Sequence, residues 1–343
     1  FKQKTAYEIM PSLVGSEMCI RDSNMSLLDE REFYKPFNYA WAYEAYKTQN
    51  QMHWIPDEVN LADDLKDFRE NLSEDNRNLL TNIFRFFTQA DVDVASGYAN
   101  HYLPTFKQPE VRMMLSSFAN MEAVHQDAYS LLLETLGYHD DEYQLFQEIE
   151  SMQKKHEYLS DFNVDTPYDM AKTMAVYSAF TEGVQLFSSF AILLNYPRHN
   201  FMKGMGQIVT WSVRDETLHV ESMSRLFKEF IRENPELWTD ELKYDIYCAA
   251  EKTVELEDAF IDTCFENAEI PDLTAADVKE YIRYIADRRL LGISMKSIFH
   301  ARTNPLPWLD YILNGVEHTN FFENRATEYA KASTTGNWQD IFK

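Results

Sequence analysis

Two segments of the chain place a histidine three residues after a glutamate: Glu122 with His125, and Glu216 with His219. Residues i and i+3 are neighbours on a helix surface, so each pair can converge on one ion. Each pair also has a carboxylate upstream. Asp91 lies 31 residues before Glu122, and Glu182 lies 34 before Glu216. The chain thus reads as two similar halves, each a carboxylate helix followed by an ExxH helix. One ExxH carries little weight, because Glu and His are common on helix surfaces. Two of them, with matching upstream carboxylates, form the pattern of a dimetal carboxylate bundle. Charge points the same way. Four ionised carboxylates in a helical core cost several kcal/mol each even after relaxation. Two divalent ions cancel them, as do two trivalent ions with an oxo bridge. Carboxylate oxygens with imidazole suit iron or manganese better than thiophilic metals. Asp93 competes for the first position, but it lies off the stripe through Leu80, Phe84 and Phe87, so Asp91 is preferred.

These groups need long helices to hold them, and the punctuation allows it. Gly and Pro together make 20 residues, roughly half the usual share. From Pro56 onward the prolines are widely spaced, and proline breaks helix interiors. A first helix starts at Ser73 as N-cap and carries Leu80, Phe84, Phe87, Asp91 and Val94 at steps of three and four. A second follows Pro109, carries Glu122, His125 and Tyr129 on its apolar stripe, and closes at Gly137. A third starts near Pro167, carries Glu182, and stops before Pro197. A fourth carries Ser212, Glu216 and His219 and stops before Pro235. Further helices are predicted around 241–266 and 275–299, and no alternating strand pattern is found. The expected fold is all-α: a ferritin-like helical bundle with additional helices around a dimetal-carboxylate core.

Composition excludes other classes. Acidic residues outnumber basic ones 56 to 32, for a net charge of −24. Nucleic-acid binding relies on cations that neutralise phosphates, and anionic membrane surfaces also attract basic patches, so neither partner is expected. Cys19, Cys248 and Cys264 show no CxxC spacing and read as free thiols of a reducing cytoplasm. The longest apolar run, Met174 to Leu194, contains Glu182, so no membrane span is expected. There is no P-loop or Gly-rich phosphate cradle. Residues 1–24 read as an extraneous or disordered leader, with Met25 as the expected start. Residues 25–322 read as one domain, and 323–343 as a flexible tail.

The motifs closely resemble the small, radical-generating β subunit of class I ribonucleotide reductase, over essentially the whole chain from Met25. By position in its motifs, the resemblance implies that Asp91, Glu122, His125, Glu182, Glu216 and His219 are metal ligands. The implied centre is dinuclear, with two irons per chain and manganese as the other choice. Tyr129, seven residues after Glu122, matches the tyrosine that carries the stable radical. RDExxH, Arg214 to His219, and the segment WIPDEV imply a relay of His125, Asp215 and Trp54. NFFENRATEYAKA, Asn320 to Ala332, implies a subunit-spanning role for Tyr329. The tail with Trp338, Ile341 and Phe342 is expected to dock on a separate large subunit, which reduces the ribonucleotide. A homodimer in the cytoplasm is also implied. Leu186 and Ser212 depart from the residues common at their positions, which bears on radical lifetime and not on the ligand set. The other classes are a ferritin-like iron-storage protein and a self-contained oxidase or monooxygenase.

Overall fold

The computed structural model describes residues 26–160 and 163–318. In chain order its longer helices are α1 (Ala40–Gln51), α2 (Glu74–Gly97), α3 (Pro109–Leu136), α4 (Glu150–Ser160) and α5 (Pro167–Val176). They continue with α6 (Phe187–Arg198), α7 (Lys203–Glu233), α8 (Asp240–Asn267), α9 (Ala275–Gly292) and α10 (Pro307–His318). No strand occurs among the described residues. The fold is the expected all-α, ferritin-like bundle. Helices α2 and α3 pack along each other, α7 packs against α3, α5 and α6, and the remaining helices cover this centre.

Local signals set several helix ends, those at Ser73, Pro109 and Gly137 as read from the sequence. Ser73 Oγ accepts the Asn76 N–H at 3.2 Å and caps α2. Pro109 opens α3, where a missing N–H costs nothing. The helix closes at Gly137, whose φ of 96° leaves its N–H free to bond the carbonyls of Leu133 and Glu134. Thr239 caps α8 by accepting the Leu242 N–H at 3.2 Å.

Three expectations are corrected. The third helix is not continuous: α5 ends at Val176, a wide π turn spans Tyr177–Thr181, and open turns lead to α6. Every residue from Thr173 to Tyr196 is buried, so no polar face exists to register the break. Pro197 also lies inside the last turn of α6 rather than beyond it. There its absent donor removes little of the ladder, and the chain leaves through Asn200 at φ 68°. The helix expected over 275–299 ends at Gly292. The buried Asp287 carboxylate accepts the N–H groups of Ile298, Phe299 and Ala301 at 2.9–3.0 Å and folds that segment back.

Helix α7 carries three of the candidate site's acidic and imidazole groups, and its start is held by a distant carboxylate. Asp64 accepts the N–H groups of Gly204 at 2.9 Å and Met205 at 2.8 Å, while Asp67 accepts that of Met202 at 3.0 Å. An anion at a helix N-terminus satisfies orphan donors and complements the dipole.

Cys248 is exposed and Cys264 buried, both unbridged. No helix among the described residues is long and apolar enough to cross a membrane. The leader 1–24, Cys19 and the tail 323–343 lie outside the described residues.

Asp64→Ala should therefore cost about 2 kcal/mol of stability, seen as a lower urea midpoint at unchanged m-value. Asp64→Asn, which keeps one acceptor oxygen, should fall between. An unchanged midpoint for the alanine variant would show that this cap does not hold α7.

Candidate metal centre

The structure brings the six proposed ligands into two overlapping groups. Asp91 from α2, Glu122 and His125 from α3, and Glu216 from α7 offer ligand atoms all within 4.8 Å of one another. Glu122, His219 from α7 and Glu182 form the second group under the same limit. Glu182 sits in the open turn between the π turn and α6. All six are at most 2% exposed. Glu122 belongs to both groups. Its carboxylate oxygens lie 3.5 Å from His125 Nδ1 and 2.9 Å from His219 Nδ1. Glu216 spans the same two rings, at 3.3 and 3.7 Å. Asp93 is elsewhere, 2.6 Å from His156 Nδ1.

The donor atoms are arranged for cations. Asp91 Oδ2, both oxygens of Glu122 and of Glu182, Glu216 Oε2 and His219 Nδ1 are buried without a hydrogen bond in the structure. The 2.9 Å approach of His219 Nδ1 to Glu122 is close in distance but not aligned as a hydrogen bond. Native proteins rarely leave so many buried polar atoms unpartnered. Burial pushes Asp91 and Glu182 well above the usual carboxylate range, and the neighbouring carboxylates add to it. Burial also opposes charge on Glu216, but the two histidines outweigh it and lower its pKa. Both histidines resist charging through burial, yet their carboxylate partners raise them, His219 to about 10. Protons on these groups stand in for the cations the site is built to hold. The residues fit a dinuclear metal site.

The outer faces of the imidazoles are equally organised. His125 Nε2 lies 3.3 Å from Asp215 Oδ2, and His219 Nε2 lies 3.0 Å from Gln49 Oε1. Gln49 Nε2 donates to Asp215 Oδ1 at 3.2 Å, which orients its amide and presents oxygen to His219. Both acceptors place the ring proton on Nε2 and leave Nδ1 toward the carboxylates. Burial disfavours charge on Asp215, but the hydrogen bond and charge of His125, the Arg214 charge and the Trp54 hydrogen bond outweigh it and lower its pKa. Trp54 Nε1 donates to Asp215 Oδ2 at 2.7 Å. The Trp54 ring lies 5.9 Å from His125 and 5.2 Å from Trp211.

Tyr129 is 2% exposed. Its hydroxyl donates to Ser212 Oγ at 3.4 Å, and Ser212 in turn donates to Ile208 O at 3.1 Å. Phe87 lies 4.8 Å and Phe84 6.5 Å from its ring. Burial raises the phenol pKa strongly, and the Asp91 charge adds to this. Leu186 is buried. Tyr329, Trp338, Ile341 and Phe342 lie outside the described residues.

Sequence reasoning missed Gln49, the residue that ties the two imidazole supports together. Helix α1 gives it no signal beyond a polar residue in a polar helix. It also missed the buried Tyr98, edge-on to His219 at 6.3 Å, whereas Phe118, on the same apolar stripe as Glu122 and His125, lies 4.2 Å from the His219 ring.

Comparison with known proteins agrees with this geometry. The family described as "Ribonucleotide reductase, small chain" matches residues 31–305. The chain is 45% identical to a probable ribonucleoside-diphosphate reductase small subunit of Invertebrate iridescent virus 6, over 93% of this chain and 99% of that one. It is 46% identical to the corresponding protein of Invertebrate iridescent virus 3, over 92% and 88%. A crystal structure of a putative class I ribonucleotide reductase from Bacillus halodurans superposes with a TM-score of 0.74. It is 25% identical and covers 80% of this chain and 100% of that one.

Two outcomes test the metal geometry. Gln49→Met frees His219 Nε2 and should weaken manganese(II) binding by roughly 10–100-fold, read by calorimetry. Unchanged affinity would remove the supporting role of Gln49. His219, with its pKa near 10, is protonated at pH 7, and a ligating nitrogen must lose that proton. Binding should therefore release protons to an indicator dye and tighten as pH rises toward 9. A pH-independent affinity would contradict the ligand role of His219.

Proposed function

Because the chain belongs to the ribonucleotide reductase small-chain family, we propose that its buried cluster is the dinuclear centre from which Tyr129 is oxidised. Its function is the family's: to serve the reduction of ribonucleoside diphosphates. The observation that carries the site assignment is the pair of overlapping ligand groups sharing Glu122 in a dry core. Asp91, Glu122, His125 and Glu216 would hold one ion, and Glu122, Glu182 and His219 the other. Iron is the proposed metal, two per chain, with manganese accepted by the same oxygen and nitrogen donors. When bound, the ions supply the electrons that reduce oxygen and the oxidising power directed at a tyrosine.

The residues of the chain do the rest. Tyr129 would pass one electron and its hydroxyl proton to the oxygen-derived oxidant, and Ser212 Oγ holds the hydroxyl in place until then. Phe84 and Phe87 exclude water from the ring, which protects the resulting phenoxyl from reductants. Asp215 Oδ2 accepts the Trp54 indole N–H and lies 3.3 Å from His125 Nε2, so one oxygen faces both rings. This line of His125, Asp215 and Trp54 is the proposed route by which oxidising equivalents leave the core. Tyr329 would continue it across the interface to a cysteine on a large subunit. The tail with Trp338, Ile341 and Phe342 would anchor that partner. A homodimer in the cytoplasm completes the reading.

Metal analysis and electron paramagnetic resonance on oxygen-treated protein test the centre and the radical together. Tyr129→Phe should keep two ions per chain and lose the sharp tyrosyl signal. A surviving signal would place the radical on another tyrosine. Tyr329→Phe should keep both metals and signal while nucleotide reduction with the large subunit falls to near zero. Full turnover by that variant would refute its relay role.

A further inference from the structure

Glu182 differs from the other ligands in how its backbone is held. The other five stand on the continuous helices α2, α3 and α7, whose ladders fix their positions. Glu182 stands in the break between α5 and α6. Its N–H reaches back five residues to Tyr177 O at 3.1 Å, and its carboxylate oxygens have no hydrogen bond. The buried Tyr98 hydroxyl interacts with that carboxylate, and the place of the Glu182 backbone sets where the carboxylate can reach.

Two cations from outside elements take up carbonyls of this break. Lys155 of α4 donates to Gln185 O at 2.8 Å. Arg289 of α9 donates through Nε to Gly183 O at 3.0 Å. Lys155 is fully buried, an expensive place for an ammonium group. Glu257 of α8 pairs with it at 2.6 Å and accepts a short hydrogen bond from Ser188. The Phe86 and Phe260 rings lie 4.7 and 4.1 Å from Lys155 Nζ. Arg289 stacks over Phe187, the first residue of α6, at 5.0 Å. A side chain at Gly183 would meet Ala179 O at 2.2 Å and Arg289 Nε at 3.0 Å, so the turn closes only around a glycine. None of these groups belongs to either ligand set.

We propose that Lys155 and Arg289 are positioning residues for the second metal ion: they hold the carbonyls of Gln185 and Gly183, just after Glu182, so that Glu182 faces His219 and Glu122. The inference rests on the two-ion reading of the cluster. It assigns the buried Lys155–Glu257 pair a task that a purely structural pair in α4 and α8 would not have. It also predicts an asymmetry, since the group of Asp91, Glu122, His125 and Glu216 owes nothing to either clamp.

The test is titration of metal-free full-length protein with manganese(II), read by calorimetry and by electron paramagnetic resonance. The latter separates a spin-coupled pair from an isolated ion. The unmodified protein should bind two ions per chain and show the coupled pair. Lys155→Met with Glu257→Gln keeps the apolar stem, the Ser188 acceptor and charge balance. Arg289→Met is the second variant, and Arg289→Lys keeps a donating cation. Circular dichroism should show all three folded. The two methionine variants should hold one ion at unchanged affinity, lose roughly 10–100-fold for the other, and give the isolated-ion spectrum. Arg289→Lys should recover the pair. Two ions at unmodified affinity in both methionine variants would overturn the inference. So would equal weakening of both ions in a folded variant. Failure of the unmodified protein to bind two ions would remove the two-ion reading itself, and this inference with it.

Discussion

Glu122 lies between His125 and His219, Glu216 spans the same two rings, and Asp91 and Glu182 close the cluster at its ends. Burial removes these four carboxylates from bulk solvent. That single electrostatic fact constrains the rest of the molecule. A desolvated anion must be protonated, paired or metal-bound, and the raised pKa values of Asp91 and Glu182 express the first choice when cations are missing. The protein supplies few cations of its own here. Arg214 reaches Asp215 rather than the four carboxylates, and the imidazoles reach charge only by holding protons that a metal displaces.

Keeping such a cluster together takes rigid supports. Three come from uninterrupted helices of 24, 28 and 31 residues, in which each ligand's backbone is fixed by its own ladder. The outer shell then sets ring orientation. Asp215 and Gln49 are bonded to each other and each to one imidazole, so the two ligand groups share support as well as a bridging carboxylate. The fourth support is different in kind. At Glu182 the ladder shifts to irregular backbone bonds such as Gln185 N–H to Phe180 O, and Lys155 and Arg289 take up the carbonyls of Gln185 and Gly183. The same core that hosts the ions therefore buries a second, separate ionic network at Lys155 and Glu257.

The residues proposed for redox roles occupy distinct surroundings on this scaffold. Tyr129 has one weak polar neighbour, Ser212, and aromatic walls. Trp54 is bonded to a carboxylate whose charge is maintained against burial. A phenol sealed among phenylalanines suits a long-lived radical, whereas an indole tied to Asp215 suits passage. The polar residue at position 212, unusual for the resemblance, is what gives the Tyr129 hydroxyl its partner.

The ligand types, their i, i+3 spacing and the 31- and 34-residue separations stand in the sequence alone, because a helix converts spacing directly into a shared face. The apolar stripe also separated Asp91 from Asp93, since a step of two residues turns a side chain away from its neighbours. The Ser73 and Gly137 caps were legible for the same local reason. Three-dimensional packing decided the remainder. Gln49 meets His219 from 170 residues away, and no local pattern records a partner chosen by packing. The break at Glu182 was invisible because residues 173–196 are buried on every side, leaving periodicity with no contrast to report. No local pattern in the sequence singles out Lys155. Only the packing of α2 and α8 against α4 buried it and directed it to the backbone of a metal-facing turn.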